Sequence, residues 1–381
     1  MMHSIMAKKA MDDRYFDDAH KKFGRMLSEQ GYDSEAEKFQ IQALDARSRN
    51  CGEEHPGTIS AMGDLANTYH NLGKYTNVEK LQIKVLDLRN RDLGAEHPDT
   101  IQAMGNLANT YESLGKYADA EKLQIQVLDM RKRLLGEEHP DTIIAMGNLA
   151  ITYESLGKYV DAEKLQIQVL DMRKRLLGEE HPFAITAMSN LAITYGSLGK
   201  YADAEKLQID VLNLRNRLLG EEHPKTIWAM ANLANTYESL GKYTDAEKLQ
   251  TQVLDMRSRL LGEEHPDTII AMSDIAITYK SLGNYADTEK LQIQVLDMRN
   301  RLLGEEHPDT ISAMNNLAVT YQNLGKHADA QKLETQVLNM RNRLFGEQHP
   351  RKVEAVASLG LIQSQANINT SGTEKGELYL L

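Results

Sequence analysis

PDTIQAMGNLANTYESLGKYADAEKLQIQVLDMRKRLLGEEH, residues 98–139, is one copy of a 42-residue unit that recurs along most of this 381-residue chain. Pro98 suits the first position of a helix, where its missing N–H has no partner and its fixed φ is already helical. Asp99 then stands in the first turn, favourable against the positive end of the helix dipole. Ile101, Met104, Leu107, Ala108, Tyr111 and Leu114 follow at spacings of three and four, one apolar stripe of a helix. Gly115 ends the segment as a left-handed cap. A second helix opens near Tyr117 and carries Ala120, Leu123, Val127, Leu128, Met130 and Leu134. Arg131, Lys132 and Arg133 fall in its last turns, where cations oppose the negative end of the dipole. Gly136 and Glu137-Glu138-His139 lead to the next proline, so the unit is an antiparallel helical hairpin with short connections.

The dipeptide His-Pro marks the period, at His55, His97, His139, His181, His223, His265, His307 and His349, and it accounts for all eight prolines. A period of this length means a stacked array of one supersecondary unit. Neither helix can bury its stripe alone, so neighbouring hairpins stack. Ala108 and Ala120, with alanine in most equivalent registers, mark where they approach closely. The expected fold is all-α, a right-handed α-solenoid. Such an array has no central core and carries its function on an extended surface. A non-enzymatic binding scaffold is therefore expected, with no catalytic residue and no cofactor.

The balance of 44 basic and 55 acidic residues gives a net charge of −11, spread evenly over the units. A nucleic-acid binder needs a basic stripe, so the expected partner is a protein or peptide of basic or neutral character, with no nucleic acid. No apolar run reaches the ~18 residues that suggest a membrane span, and Met1 to Asp13 lacks the apolar stretch of a signal peptide. The single cysteine, Cys51, fits a reducing compartment; a cytoplasmic location is expected. Its register is otherwise leucine or phenylalanine, which reads Cys51 as a small packing residue.

Leu107-Ala108, Tyr111, Gly115, Tyr117, Ala120 and Leu128, recurring in the middle units with few exceptions, resemble the tetratricopeptide repeat. The 42-residue period with its Asn-Leu-Ala core and acidic-His-Pro linker resembles the kinesin light chain type. The near-identity of the units is also similar to the repeat arrays of fungal NACHT- or NB-ARC-containing proteins. Two departures stand out: Met104 and its equivalents replace a first-helix aromatic, and Gln124, Gln166, Gln208, Gln250 and Gln292 replace a second-helix one. The resemblance implies two runner-up functions. One is a kinesin light chain-like cargo adaptor with kinesin heavy chain as partner; the other is a detached sensor array of a fungal NOD-like receptor. The first 30 residues show no sustained a/d heptads, and no Gly-rich phosphate loop is present, so neither is the leading expectation.

The expected organisation is an N-terminal extension (1–13) and a solenoid (14–366), followed by a disordered tail (367–381). Within the solenoid, 14–54 is a degenerate capping repeat, 55–348 holds seven repeats, and 349–366 is a C-terminal capping helix.

Copies share what the fold requires, so function is sought where they vary and where a residue is costly. The His-Pro histidines read as helix caps, because no Cys or second His lies at metal-ligand spacing; no metal site is expected. Asn106, Asn148, Asn190, Asn232 and Asn316, with Asp64 and Asp274 in the same register, sit mid-helix, where Asn is unfavourable. By the resemblance that position lies on the concave groove, where an amide offers donor and acceptor to a peptide backbone. An inter-repeat hydrogen-bond ladder is the structural alternative. Asn109, Ile151, Ile193 and Asn235 vary one turn away, as does the register of Trp228, the only tryptophan, read either as a binding anchor or as lateral packing. Gly63, Gly105 and Gly147 stand mid-helix beside the Asn register, either because another backbone approaches closely or through neutral drift.

Overall fold

The computed structural model describes residues 20–345, all helix and short connections. The expected extension 1–13, the capping helix 349–366 and the tail 367–381 lie outside the described residues. Among those described, sixteen helices form two compact units, residues 20–198 and 199–345. The first holds α1 (20–29), α2 (Asp33–Cys51), α3 (Pro56–Asn71), α4 (Tyr75–Leu93), α5 (Pro98–Ser113), α6 (Tyr117–Leu135), α7 (Pro140–Ser155), α8 (Tyr159–Leu177) and α9 (Pro182–Ser197). The second holds α10 (Tyr201–Leu219), α11 (Pro224–Ser239), α12 (Tyr243–Leu261), α13 (Pro266–Ser281), α14 (Tyr285–Leu303), α15 (Pro308–Asn323) and α16 (His327–Phe345). From α2 to α9, and again from α10 to α16, each helix packs against the next in sequence. Each unit is a stack of antiparallel hairpins of the α-solenoid class. We call the Pro-initiated, 16-residue helices the A helices and their 19-residue partners the B helices.

The His-Pro dipeptide is a helix start. His97 has an extended backbone, Pro98 occupies the first helical turn, and the Asp99 N–H donates to His97 Nδ1 at 3.2 Å. The same cap forms at His55, His139, His181, His223, His265 and His307, satisfying a backbone donor that the helix leaves open. Both connections depend on glycine. Gly115 follows the A helix at φ +71°, and Gly136 ends the B helix at φ 91°, ψ 166°, a combination essentially confined to glycine.

Ala108, Ala120, Ala150 and Ala162 are fully buried at the seams, with Ile101, Met104, Leu107 and Val127 filling the space between hairpins. The Met register is therefore core. Two expectations fail. Leu134 is 45% exposed, as are its equivalents, and Cys51 is exposed rather than packed. Both belong to the last turn of a B helix, where the leucine register from Leu93 to Leu303 also faces solvent.

Neighbouring hairpins are tied at their rims by charge. Lys116 pairs with Glu79 at 2.6 Å while lying 5.5 Å over the Tyr111 ring. Lys158–Glu121, Lys242–Glu205 and Lys326–Glu289 repeat the pair. A second series joins Arg175 to Glu138, Arg259 to Glu222 and Arg301 to Glu264. These lysines and arginines are exposed, so each pair adds little to stability.

Candidate functional site

Asn106, Asn148 and Asn190 stand on α5, α7 and α9 of the first unit; Asn232 and Asn316 stand on α11 and α15 of the second. Asn106 is exposed and the others are half-buried. They do not bond to one another. Asn106 Oδ1 accepts from Gln102 Nε2 of its own helix at 2.8 Å, and the side chains of the other four make no hydrogen bond among the described residues. The inter-repeat Asn ladder is thus not formed, and the amide groups keep their bonding capacity.

Asn109, Ile151, Ile193 and Asn235 are exposed on the same A helices. In the first unit Ile144 and Ile151 on α7 join Phe183 and Ile193 on α9, all exposed. Trp228 on α11 is 39% exposed, with the Arg215 guanidinium 5.4 Å from its ring centre, a cation–π arrangement. Its indole is held, not loose.

Beneath this face runs a polar layer. Gln124 and Gln166 are completely buried; Gln124 Nε2 donates to Asn109 at 3.0 Å, while both polar atoms of Gln166 lack partners among the described residues. Thr152 donates to Glu112, and Thr194 donates to Glu154, from one A helix to the one before. Burial raises the carboxyl pKa of both glutamates, and these hydroxyl bonds oppose the rise. In the last hairpin the amide and the acid exchange places: Gln322 Nε2 donates to the buried Glu334 at 2.6 Å.

An arginine register went unrecognised in the sequence. Arg89, Arg131 and Arg173 in the first unit, and Arg257 and Arg299 in the second, each donate to a main-chain carbonyl in the first turn of the next A helix at 2.9–3.0 Å. Burial lowers the pKa of Arg131 and Arg173. The signal was present, as Arg at one register in every unit. It was masked because a charged residue near a helix end reads as dipole compensation, whereas its aliphatic stem crosses apolar surface.

Of the two readings of the mid-helix glycines, close approach within the chain is not met: among the described residues a Cβ built on Gly63, Gly105 or Gly147 would have no atom from outside its own helix turn within 4 Å. They leave room instead. Between α3 and α5 lies a cleft of about 260 Å³, bounded by Gly63, Asp64, Gln82, Arg89, Gln102 and Asn106. At the corresponding place between α13 and α15, Ser273 replaces the glycine and about 10 Å³ remains. Ser273 Oγ donates to the Ile269 carbonyl at 2.9 Å and accepts from Arg299 at 3.4 Å.

Among the described residues no group of three His, Cys, Asp or Glu could hold a metal ion, and no helix is long and apolar enough to cross a membrane.

The chain matches models described as "Tetratricopeptide repeat" at residues 64–133, 106–175, 153–215, 184–259, 232–287 and 275–343, and a second such model at 22–57. No curated protein matches it. Among solved structures it is similar to a Podosopora anserina putative kinesin light chain with nearly identical TPR-like repeats: 28% identity over 55% of this chain and 100% of that one, TM-score 0.49. It is similar to a Rap protein complexed with competence and sporulation factor, at 13% identity over 93% and 98% of the two chains, TM-score 0.52. It also resembles a signal transduction ATPase with a tetratricopeptide repeat sensor from Pyrococcus horikoshii, at 12% identity over 89% of this chain and 54% of that one, TM-score 0.53.

Proposed function

Because the chain belongs to the tetratricopeptide repeat family, we propose that it is a non-enzymatic, cytoplasmic scaffold whose A-helix face forms a concave groove for a peptide or helical segment of a protein partner. One observation carries this reading: uncommitted amides at Asn148, Asn190 and Asn232 stand beside exposed apolar side chains on the same helices. The amides supply donors and acceptors for a main chain. Ile151, Ile193 and Trp228 supply apolar contact, and the held indole loses little further freedom on binding.

The test is a photoreactive residue at position 228, crosslinked in native lysate and read by mass spectrometry. Replacing Asn148, Asn190 and Asn232 by Ala is expected to abolish the crosslinks while circular dichroism and melting change little. Unchanged crosslinks, or a loss of stability matching the loss of capture, would overturn the reading. The captured peptides also separate the runner-up functions, since kinesin heavy chain or a nucleotide-binding receptor protein would be identified directly.

A further inference from the structure

Two carboxylates interrupt the Asn register, Asp64 on α3 and Asp274 on α13. In the first unit Asp64 is occupied from within the chain. The Lys21 ammonium, on α1, lies 3.5 Å from Asp64 and donates to Ser60 Oγ at 2.9 Å. Five repeats later every one of these positions has a counterpart. Asp274 stands for Asp64, Arg257 and Arg299 for Arg47 and Arg89, and Ile270 for Ser60. Where Lys21 stood there is Ala231, on α11, a side chain too short to reach.

Asp274 consequently has no hydrogen bond and no ion pair within 4 Å among the described residues. The charged groups that face it are Glu238 from α11, Arg257 from α12 and Arg299 from α14. The two guanidiniums are already turned to the Asp267 and Asp309 carbonyls. A half-buried carboxylate in this position is short of solvation and of a direct partner, and an uncompensated charge of this kind is costly to leave alone. Trp228, one turn before Ala231, and Ile270, one turn before Asp274, are both exposed, and they offer apolar surface to a four-carbon stem.

We propose that Asp274 is the seat of a lysine side chain of the polypeptide bound in the groove, its ammonium taking the place that Lys21 fills at Asp64. This rests on the groove reading for the source of the lysine, though the chemistry of the seat stands apart from it. Burial, reinforced by Glu238 and opposed by Arg257 and Arg299, raises the Asp274 carboxyl to about 6. The seat is therefore anionic at pH 7.5 and loses its charge on mild acidification.

Two measurements test it, and both must succeed. Ala231→Lys supplies the missing side chain from within, and is expected to raise the melting temperature by ~2–4 °C at pH 7.5. The gain should vanish at pH 5 and in the A231K/D274N double variant. Separately, Nα-acetyl-lysine methylamide is titrated against protein with labelled isoleucine methyls, with the norleucine analogue as control. A saturable shift of the Ile270 methyl is expected for the lysine probe only, lost in D274N and retained in the exposed-charge control E263Q. No A231K gain, or equal shifts from both probes, overturns the seat. Failure of the groove is read elsewhere, in the Asn variants and their crosslinks.

Discussion

The α3/α5 and α13/α15 faces are the same construction read twice, five repeats apart, and they differ in what their side chains leave open. One has Gly63, a cleft of about 260 Å³ and an aspartate held by Lys21; the other has Ser273, about 10 Å³ and an aspartate with no ion pair within 4 Å among the described residues. Helix lengths, caps and glycine connections are identical in both. A face can thus be rewritten by single side chains without any change to the backbone beneath it. This is possible because the seam residues, on the other side of each A helix, carry the stability.

The largest effect should treat both places alike. Ala66→Leu and Ala276→Leu each force three carbons into a fully packed seam, and each should cost up to ~3 kcal/mol, read by denaturant unfolding. Unequal costs would break the claim of a common scaffold. Next, the two aspartates should respond with opposite sign. Between pH 4 and 6 the folded chain keeps a proton on Asp274 that the unfolded chain has released, so stability falls as pH rises through that window and is level above it. Asp274→Asn removes this penalty and should stabilise by about 2 kcal/mol at pH 7.5, a gain that disappears near pH 4. Asp64→Asn instead removes the carboxylate beside Lys21 and should cost about 1 kcal/mol. His55→Ala and His265→Ala should each cost about 1 kcal/mol through the lost cap, with faster hydrogen exchange in the first turn of α3 or α13. Smallest, Gly63→Ser should stabilise by ~0.5 kcal/mol because mid-helix glycine is unfavourable, and Ser273→Gly should do the reverse.

The fold was legible because every local signal agreed. His-Pro starts each A helix, glycine ends each helix, and spacings of three and four between them name the seam. The Asn register and its variable neighbours share the A helices, as their spacing of three and four implies. It failed where helical periodicity is a poor guide. Leu134 and Cys51 keep the spacing of the stripe but sit in a final turn with nothing packed over it. Gly63 stayed ambiguous because an open cleft, a close approach and neutral drift leave the same mark in a sequence. The pairing of Thr152 with Glu112 crosses from one hairpin to another, and no spacing within a unit announces it.

The Arg–Glu ties recur along each unit, and the Lys–Glu ties recur except where Asn284 takes the lysine's place, so most of what a hairpin offers to its successor is what it requires of its predecessor. Such joints are interchangeable. A gene encoding them can gain or lose a whole unit by unequal recombination, and the new neighbours will find their mates already in place. The length of this array is on that account a quantity selection can adjust by counting, independently of the tuning of any single face.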